Sequence, residues 1–243
     1  MKITFLGSSH GYPEPGRKCS CAMIEVKGAR YFIDMGTNAV EGMIDRNYSL
    51  DSVKAIFITH MHGDHTDGLI PFLDVCSWKF KTVNPKIYLP GDTEKISEAI
   101  KNWIAVTGVT MRPFEFYEVN EGLLFDDGIL RITAFKTKHS ERSYAFLAEA
   151  EGKRVLFSGD LSHRGPSDDF PMSVFDEVLD LAICEVAHFD ATDYLPLFSE
   201  QKNLKMLCFN HYSERLMHTL FEAKNKLTHL PVIRAHDGAE IEL

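Results

Sequence analysis

Residues 59–68, with the sequence THMHGDHTDG, constrain the fold of this chain more than any other stretch. They follow the apolar, β-branched run at residues 53–58, which has the length and composition of a buried strand. His60 and His62 lie two positions apart, so an extended backbone projects both rings from one face. Gly63 allows a sharp turn that aims the polar residues behind it at the same point. Imidazoles and carboxylates at this density predict a zinc-like metal site rather than a histidine-rich surface loop.

Three more polar residues stand just past predicted strands: His139, Asp160 and His211. With the first cluster they give five histidines and two aspartates at one predicted rim, namely His60, His62, Asp64, His65, His139, Asp160 and His211. This set is too large for one tetrahedral metal with an open position and suits two metal ions. Two cations about 3.5–4 Å apart can share a carboxylate, and Asp160 suits that bridging role.

The order of predicted elements indicates the fold class. Runs of strands followed by a helix occur twice, which predicts two sheets packed face to face with helices outside, an α+β arrangement in four layers. No linker, repeat or low-complexity run divides the chain, so we expect one domain over residues 1–243.

Besides a short helix over residues 69–75, directly after the metal-binding stretch, three helices are predicted. The clearest begins at a cap at Asp92 or Thr93, and we expect core packing to account for its Trp103. A second is expected over residues 174–179, and a third over residues 213–227. The apolar positions of the clearest helix are Ile96, Ala99, Ile100, Trp103 and Ile104, and the third helix is expected to turn an inner face to the core that carries Leu216, Met217, Leu220 and Phe221.

Composition limits the partners and the location that we expect for the protein. The net charge of −9 argues against a broad surface for nucleic acid, and no apolar run has the length of a membrane span. Five cysteines, an odd number, do not form a disulfide framework, so we expect a cytoplasmic location. Cys19 and Cys21 could bind metal, but one core-facing thiol and one loop-facing thiol is the favoured interpretation.

The ordered set His60-x-His62-x-Asp64-His65, His139, Asp160 and His211 resembles the metallo-β-lactamase fold superfamily of binuclear metallohydrolases. The resemblance implies a four-layer αββα sandwich and two divalent metal ions, zinc first, with manganese or iron as alternatives. It implies that His60, His62 and His139 hold the first metal, that Asp64, His65 and His211 hold the second, and that Asp160 bridges them.

Two segments are similar to the phosphodiesterase branch of that superfamily, which includes tRNase Z and a phosphoribosyl cyclic phosphodiesterase. Residues 210–215 (NHYSER) resemble its His-x-Ser segment, and residues 184–188 (CEVAH) resemble the segment before its proton-donating histidine. The resemblance makes His188 the nearest candidate for the general acid, and we expect Asp64, Asp160 and His188 to form the catalytic set. That Glu185 orients His188 is a separate hypothesis. The short segment between His139 and Asp160 leaves no room for a protruding tRNA-binding arm.

The resemblance implies a hydrolase that cleaves a small nucleotide or cyclic phosphate ester through a metal-bridging hydroxide. A carboxylic ester hydrolase, either a lactonase or a thioesterase, is the alternative on the same site, and a non-catalytic metal-binding protein is a third hypothesis. We expect a small anionic phosphoester as partner, no membrane, and a homodimer as an open alternative. Further candidates for contacts with substrate or with the ligand imidazoles are His10, Asp34, Asp67, Ser140, Arg142, His163 and Ser213.

Overall fold

The computed structural model describes residues 1–243 as two seven-stranded sheets with helices on their outer faces. The strands are β1 (Lys2–Gly7), β2 (Cys21–Val26), β3 (Ala29–Ile33), β4 (Val53–Phe57), β5 (Lys86–Leu89), β6 (Glu115–Glu118), β7 (Gly122–Asp126), β8 (Arg131–Lys136), β9 (Tyr144–Ala150), β10 (Lys153–Phe157), β11 (Leu181–Val186), β12 (Leu207–Tyr212), β13 (Val232–Arg234) and β14 (Glu240–Glu242). The helices are α1 (Ala39–Asp45), α2 (Gly63–Thr66), α3 (Leu69–Trp78), α4 (Thr93–Val106), α5 (Leu195–Phe198) and α6 (Met217–Lys226).

Both sheets mix parallel and antiparallel pairs. The first has the order β14-β1-β2-β3-β4-β5-β6 and the second the order β13-β12-β11-β10-β9-β8-β7. In the first sheet, β3 to β6 are parallel neighbours, and in the second sheet β10 to β13 are. The carboxyl ends of the parallel strands β10, β11 and β12 lie at one edge of the second sheet, and the carboxyl end of β4 lies at the corresponding edge of the first sheet.

The core between the sheets is a cluster of 28 buried residues drawn from both of them. The Phe57 ring of β4 lies 5.3 Å from the Phe125 ring of β7 and 6.2 Å from the Phe146 ring of β9, measured between centroids. Two further clusters, of 22 and 24 buried residues, join the outer sheet faces to the helices. This layering confirms the predicted α+β four-layer sandwich.

Two predictions about helix faces were wrong. Trp103 of α4 is 64% exposed, and α4 buries only Ile100 and Ile104. Phe221 of α6 is 60% exposed, whereas Thr219, Leu220 and Ala223 face the core. Each helix packs through a narrow stripe, so apolar residues one step round the helix are left in solvent.

Smaller differences concern local structure. The helix expected over residues 174–179 is a 3₁₀ turn over Met172–Asp176, and α6 is preceded by a 3₁₀ turn over Glu214–Leu216. Strand β7 and helix α1 were not predicted. Cys19 and Cys21 are both buried; Cys21 belongs to the core cluster on the outer face of the first sheet, whereas Cys19 lies in the loop after β1 and belongs to none of the three clusters. None of the helices combines the length and apolar character that a membrane crossing needs.

Candidate metal centre

The seven predicted ligands converge where the carboxyl ends of strands from both sheets meet. His60 and His62 follow β4, and the short helix α2 carries Asp64 and His65. From the second sheet, the loop after β8 supplies His139, the loop after β10 supplies Asp160, and β12 supplies His211. Three groups of their ligand atoms lie close enough to hold metal ions: His60 with His62 and His139, His60 with His65 and Asp160, and Asp64 with His65 and His211.

The first ligand cluster is formed by three imidazoles and one carboxylate oxygen. The Nδ1 atom of His62 lies 3.0 Å from Nε2 of His60 and 3.2 Å from Nε2 of His139. The Oδ2 atom of Asp160 lies 3.6 Å from Nε2 of His60 and 3.7 Å from Nε2 of His139. Tetrahedral ligands bound at about 2.0–2.2 Å lie about 3.3–3.6 Å apart, so these atoms are spaced to surround one cation.

The second ligand cluster uses the other oxygen of the same aspartate. The Nε2 atom of His65 lies 3.4 Å from Oδ2 of Asp64 and 3.4 Å from Oδ1 of Asp160. The Nε2 atom of His211 lies 3.6 Å and 3.4 Å from those same two oxygens. Because Oδ2 of Asp160 faces the first cluster and Oδ1 faces the second, this carboxylate is placed to bridge two cations.

The chemistry of the donor set fits divalent cations. Asp34, Asp64 and Asp160 are largely buried, and their only side-chain ion partners within 4 Å are histidines. Oδ1 of Asp160 and Nε2 of His65 are buried and make no hydrogen bond. Buried polar atoms are normally paired, so this pattern fits a site for a cation.

The protonation states of His60, His139 and Asp160 also fit metal binding. Burial lowers the pKa of His60 to about 2 and the pKa of His139 to about 4, so both imidazoles are neutral at pH 7. Burial alone would raise the pKa of Asp160, but His211 and His65 hold that pKa well below its usual value. Neutral imidazole and ionised carboxylate are the forms that bind metals.

Two groups outside the clusters orient ligand imidazoles. Oδ2 of Asp34 lies 2.8 Å from Nδ1 of His65, and Oδ1 of Asp34 accepts from the Thr59 backbone N–H at 2.7 Å. The Ser9 carbonyl lies 3.1 Å from Nδ1 of His211 and fixes that ring in the same way. The prediction that Asp34 contacts a ligand imidazole is thus confirmed, whereas Asp67 makes no hydrogen bond to these rings.

His188 lies at the edge of the first cluster, with its Nε2 atom 3.9 Å from Oδ2 of Asp160. Its Nδ1 atom is 2.8 Å and 2.9 Å from the two oxygens of Glu185. Glu185 also accepts from the backbone N–H groups of Leu161 and Ala187, which fixes its carboxylate. Burial tends to lower the pKa of His188, but Glu185 raises it overall. The expected contact between these two side chains is present.

The remaining candidates are spread around the rim. The His163 ring lies 4.5 Å from the His188 ring and 5.2 Å from the His139 ring, centroid to centroid. The Arg142 guanidinium pairs with Glu118 at the surface, and the Ser213 hydroxyl is buried without a partner. The backbone N–H of Ser140 is bonded to a serine hydroxyl within its own turn. His10 contacts Glu14 in the loop after β1, 3.5 Å between Nε2 and Oε1.

Sequence reasoning missed Glu14 and Arg17, which lie beside the second cluster and contact the segment around His211. The dipeptide Pro15-Gly16 between them is a turn signal that could have been used to pair the two side chains.

Several proteins are similar to this chain. Ribonuclease BN of Cronobacter sakazakii is 30% identical over 157 residues, which is 63% of this chain and 51% of that protein. Ribonuclease Z of Listeria monocytogenes is 29% identical over 150 residues, 60% of this chain and 48% of that protein. The chain therefore spans about half the length of the curated relatives it matches.

Solved structures share the fold across the whole chain. Human tRNase Z, short form, aligns with a TM-score of 0.75 at 22% identity, covering 100% of this chain and 99% of that one. The metallo-β-lactamase fold protein YhfI of Bacillus subtilis aligns with a TM-score of 0.79 at 19% identity and the same coverage. A diphosphatase of the PhnP family aligns with a TM-score of 0.70 at 20% identity, covering 100% and 97%.

These alignments assign the metallo-β-lactamase fold to this chain. The sequence model of one family, described as anti-Pycsar protein Apyc1, matches residues 1–214. The chain belongs to the family of the anti-Pycsar protein Apyc1.

Proposed function

We propose that the protein is a two-metal phosphodiesterase that hydrolyses a small nucleotide or cyclic phosphate ester. The observation that carries this proposal is the pair of ligand clusters that share Asp160, with the His188–Glu185 pair beside them. His60, His62 and His139 would hold one cation, and Asp64, His65 and His211 the other. When bound, two such cations would activate a water for attack and neutralise the anionic oxygens of the substrate. Zinc is our first choice, and manganese or iron would suit the same ligands.

The protein's own groups have separate tasks. Nδ1 of His188 is held by Glu185, so its Nε2 atom is left to donate a proton to the leaving alkoxide. Asp34 and the Ser9 carbonyl each fix a ligand ring through the nitrogen that faces away from the clusters. Asp160 holds its two oxygens toward different clusters and so sets the spacing between them.

The relatives support phosphoester chemistry, because the proteins similar in sequence include a ribonuclease BN and ribonucleases Z. A small substrate is supported by the short connection between His139 and Asp160. The hairpin of β9 and β10 takes up most of that connection, so nothing protrudes there to hold a large RNA.

A substrate screen on metal-loaded protein tests this function. We expect hydrolysis of bis(p-nitrophenyl) phosphate and of cyclic nucleotides, and a loss of at least about 100-fold in Asp160→Asn, which removes the shared ligand. Lys226→Gln, at the exposed end of α6, is the matched control and should keep wild-type rates. Cleavage of lactones or thioesters with no phosphodiester turnover would contradict the proposal and favour a carboxylic ester hydrolase.

We also propose that two copies of the chain associate through the groove between α3 and α4. Both tryptophans lie on this helical layer and are exposed, Trp78 by 54% and Trp103 by 64%. The groove encloses about 840 Å³ and carries Lys95 together with Asp67 and Asp92 among its apolar lining. A two-fold arrangement could pair the lysine of each copy with a carboxylate of the other.

Light scattering after gel filtration tests the dimer. We expect a mass of two chains for the wild type and one chain for Trp103→Ser, because the substitution removes the largest exposed apolar group of the groove. Phe221→Ser, at an equally exposed phenylalanine on α6, should leave the mass unchanged. A wild-type mass of one chain at micromolar concentration would contradict the proposal.

We also propose that residues 1–243 form a single metallo-β-lactamase-like domain, since one core cluster contains residues of both sheets. One cooperative unfolding transition is expected by circular dichroism and fluorescence alike.

A further inference from the structure

A tight turn at residues 14–17 (EPGR) places two charged side chains next to each other. The Arg17 backbone N–H donates to the Glu14 carbonyl at 2.8 Å, and the Glu14 N–H donates to the Arg17 carbonyl at 3.1 Å. Gly16 has φ +76°, the value required at the third position of a type II turn, and Pro15 suits the second position. The Arg17 guanidinium and the Glu14 carboxylate form an ion pair, with side chains only 7% and 11% exposed.

This ion pair is attached to the chain just after His211. Nη1 of Arg17 donates to the Tyr212 carbonyl at 2.9 Å, and the guanidinium carbon lies 3.9 Å from the centroid of the Tyr212 ring. The Glu14 carboxylate accepts from the Glu214 N–H at 3.2 Å. The same loop supplies the Ser9 carbonyl that bonds Nδ1 of His211. The loop therefore grips the backbone that follows this ligand as well as its ring.

His211 needs such support because its backbone is strained. It has φ +48°, in the left-handed region that residues with a side chain rarely adopt. It is also the extra residue of a β-bulge, since Glu185 pairs with Asn210 and Val186 pairs with Tyr212. A bulge beside a site re-aims a side chain, and a strained conformation persists only where its surroundings over-determine it.

We propose that the Glu14–Arg17 turn is a brace that positions His211 and thereby sets the affinity of the second metal position. This inference rests on the proposed two-metal site. The brace makes no contact with His60, His62 or His139, so it acts on the second cluster and not on the first. Glu14 and Arg17 are positioning residues, since they act through His211 and touch none of the ligand atoms.

Cobalt titration of metal-free protein, followed by visible absorption and elemental analysis, tests the brace. We expect two Co²⁺ per wild-type chain. In Arg17→Met, the first equivalent should bind as in the wild type and the second roughly 10–100-fold more weakly, the usual effect of losing an outer partner of a ligand. Glu14→Gln keeps an oxygen for the Glu214 N–H but loses the ion pair, so the same selective weakening should appear, to a smaller extent.

Arg112→Met is the matched control. The Arg112 guanidinium also donates to a main-chain carbonyl, that of Val83 at 2.9 Å, and lies near the Phe114 ring. Arg112 lies between α4 and β6, in the half of the molecule built on the first sheet. Both equivalents should bind this variant with wild-type affinity, even where its thermal stability falls as far as that of Arg17→Met.

The outcomes separate the brace from the site itself. If the wild type binds two Co²⁺ and both Arg17→Met and Glu14→Gln bind two with unchanged affinity, the brace is overturned and the two-metal site stands. Equal weakening of both equivalents would also overturn the brace, because it would indicate general loosening. A wild type that binds fewer than two ions would overturn the two-metal site and the brace together. Should Arg17→Met not fold, Glu14→Gln alone decides between these results.

Discussion

At the scale of single residues, Asp160 is the key to the site. The two oxygens of Asp160 face different clusters, Oδ2 the first and Oδ1 the second. The order of the histidines and aspartates along the chain was enough to predict this residue as the bridge. Which cluster each of its two oxygens faces depends on side-chain geometry, which only the structure shows.

The proposed proton donor can be tested by changing the leaving group. His188→Asn should lower kcat about 100–10,000-fold for a cyclic nucleotide, whose alkoxide must be protonated. It should lower kcat less than tenfold for bis(p-nitrophenyl) phosphate, because p-nitrophenolate leaves without a proton. Steady-state kinetics on both substrates measures the contrast, and equal losses on the two would contradict the assignment.

At the scale of elements, the segment that carries Asp64 and His65 is held by close backbone contact. A Cβ atom on Gly36, just after β3, would lie 1.7 Å from the Asp64 carbonyl oxygen and 2.9 Å from that of Ser20. Only glycine allows the end of β3 to lie this close to α2. The sequence motif predicted the candidate metal ligands but not this contact, because the contact joins segments distant in sequence.

Gly36→Ala should therefore destabilise the protein by about 1–3 kcal/mol or more and weaken metal binding, because the segment that carries Asp64 and His65 must shift to accommodate the added Cβ atom. Urea unfolding and metal content measure the two effects. Gly42→Ala in α1 is the control, since its Cβ would meet the flexible side chain of Leu6 instead of backbone. If Gly36→Ala has wild-type stability and metal content, the close contact has no such role.

Far from the site, Asp180, which directly precedes β11, links β10 to the segment before β12. It accepts from the Arg154 backbone N–H at 3.0 Å and from Lys205 Nζ at 2.9 Å. Burial opposes its ionisation, but these partners lower its pKa overall. A carboxylate with a lowered folded pKa contributes stability above its unfolded pKa of about 3.9, and that stability is lost as the pH falls through the folded value.

Asp180→Asn should thus be less stable than the wild type at pH 7, with a difference that narrows as the pH falls below about 4. Urea unfolding of both proteins at pH 7 and pH 3 measures this. A difference that stays constant, or grows toward acid pH, would contradict the electrostatic role.

At the scale of the whole molecule, the layered sandwich follows from the alternation of strand and helix patterns, and that part was predictable. The exposure of Trp103 was not, because helical periodicity shows which residues share a face but not whether another surface covers it. The groove beside Trp103 and the brace at Glu14 and Arg17 depend on contacts between distant segments, so no local pattern revealed them.

Metal ions should also stabilise the whole fold, since they offset the charge of three buried carboxylates that lack lysine or arginine partners. Free metal at about 1,000 times the Kd of a site raises the free energy of unfolding by about 4 kcal/mol. This corresponds to roughly 8–16 °C in Tm for a chain of this size. Chelation should lower Tm by that amount, and differential scanning calorimetry measures it. An unchanged Tm would contradict a native metal site.

We propose that the two clusters sharing Asp160 hold two metal ions that support phosphodiester hydrolysis. Elemental analysis of the purified protein, paired with turnover of a phosphodiester and an ester on the same sample, tests it most directly. We expect two metal ions per chain, with phosphodiester turnover that chelation abolishes and metal restores. No bound metal under any loading condition, or two ions with ester hydrolysis alone, would contradict it.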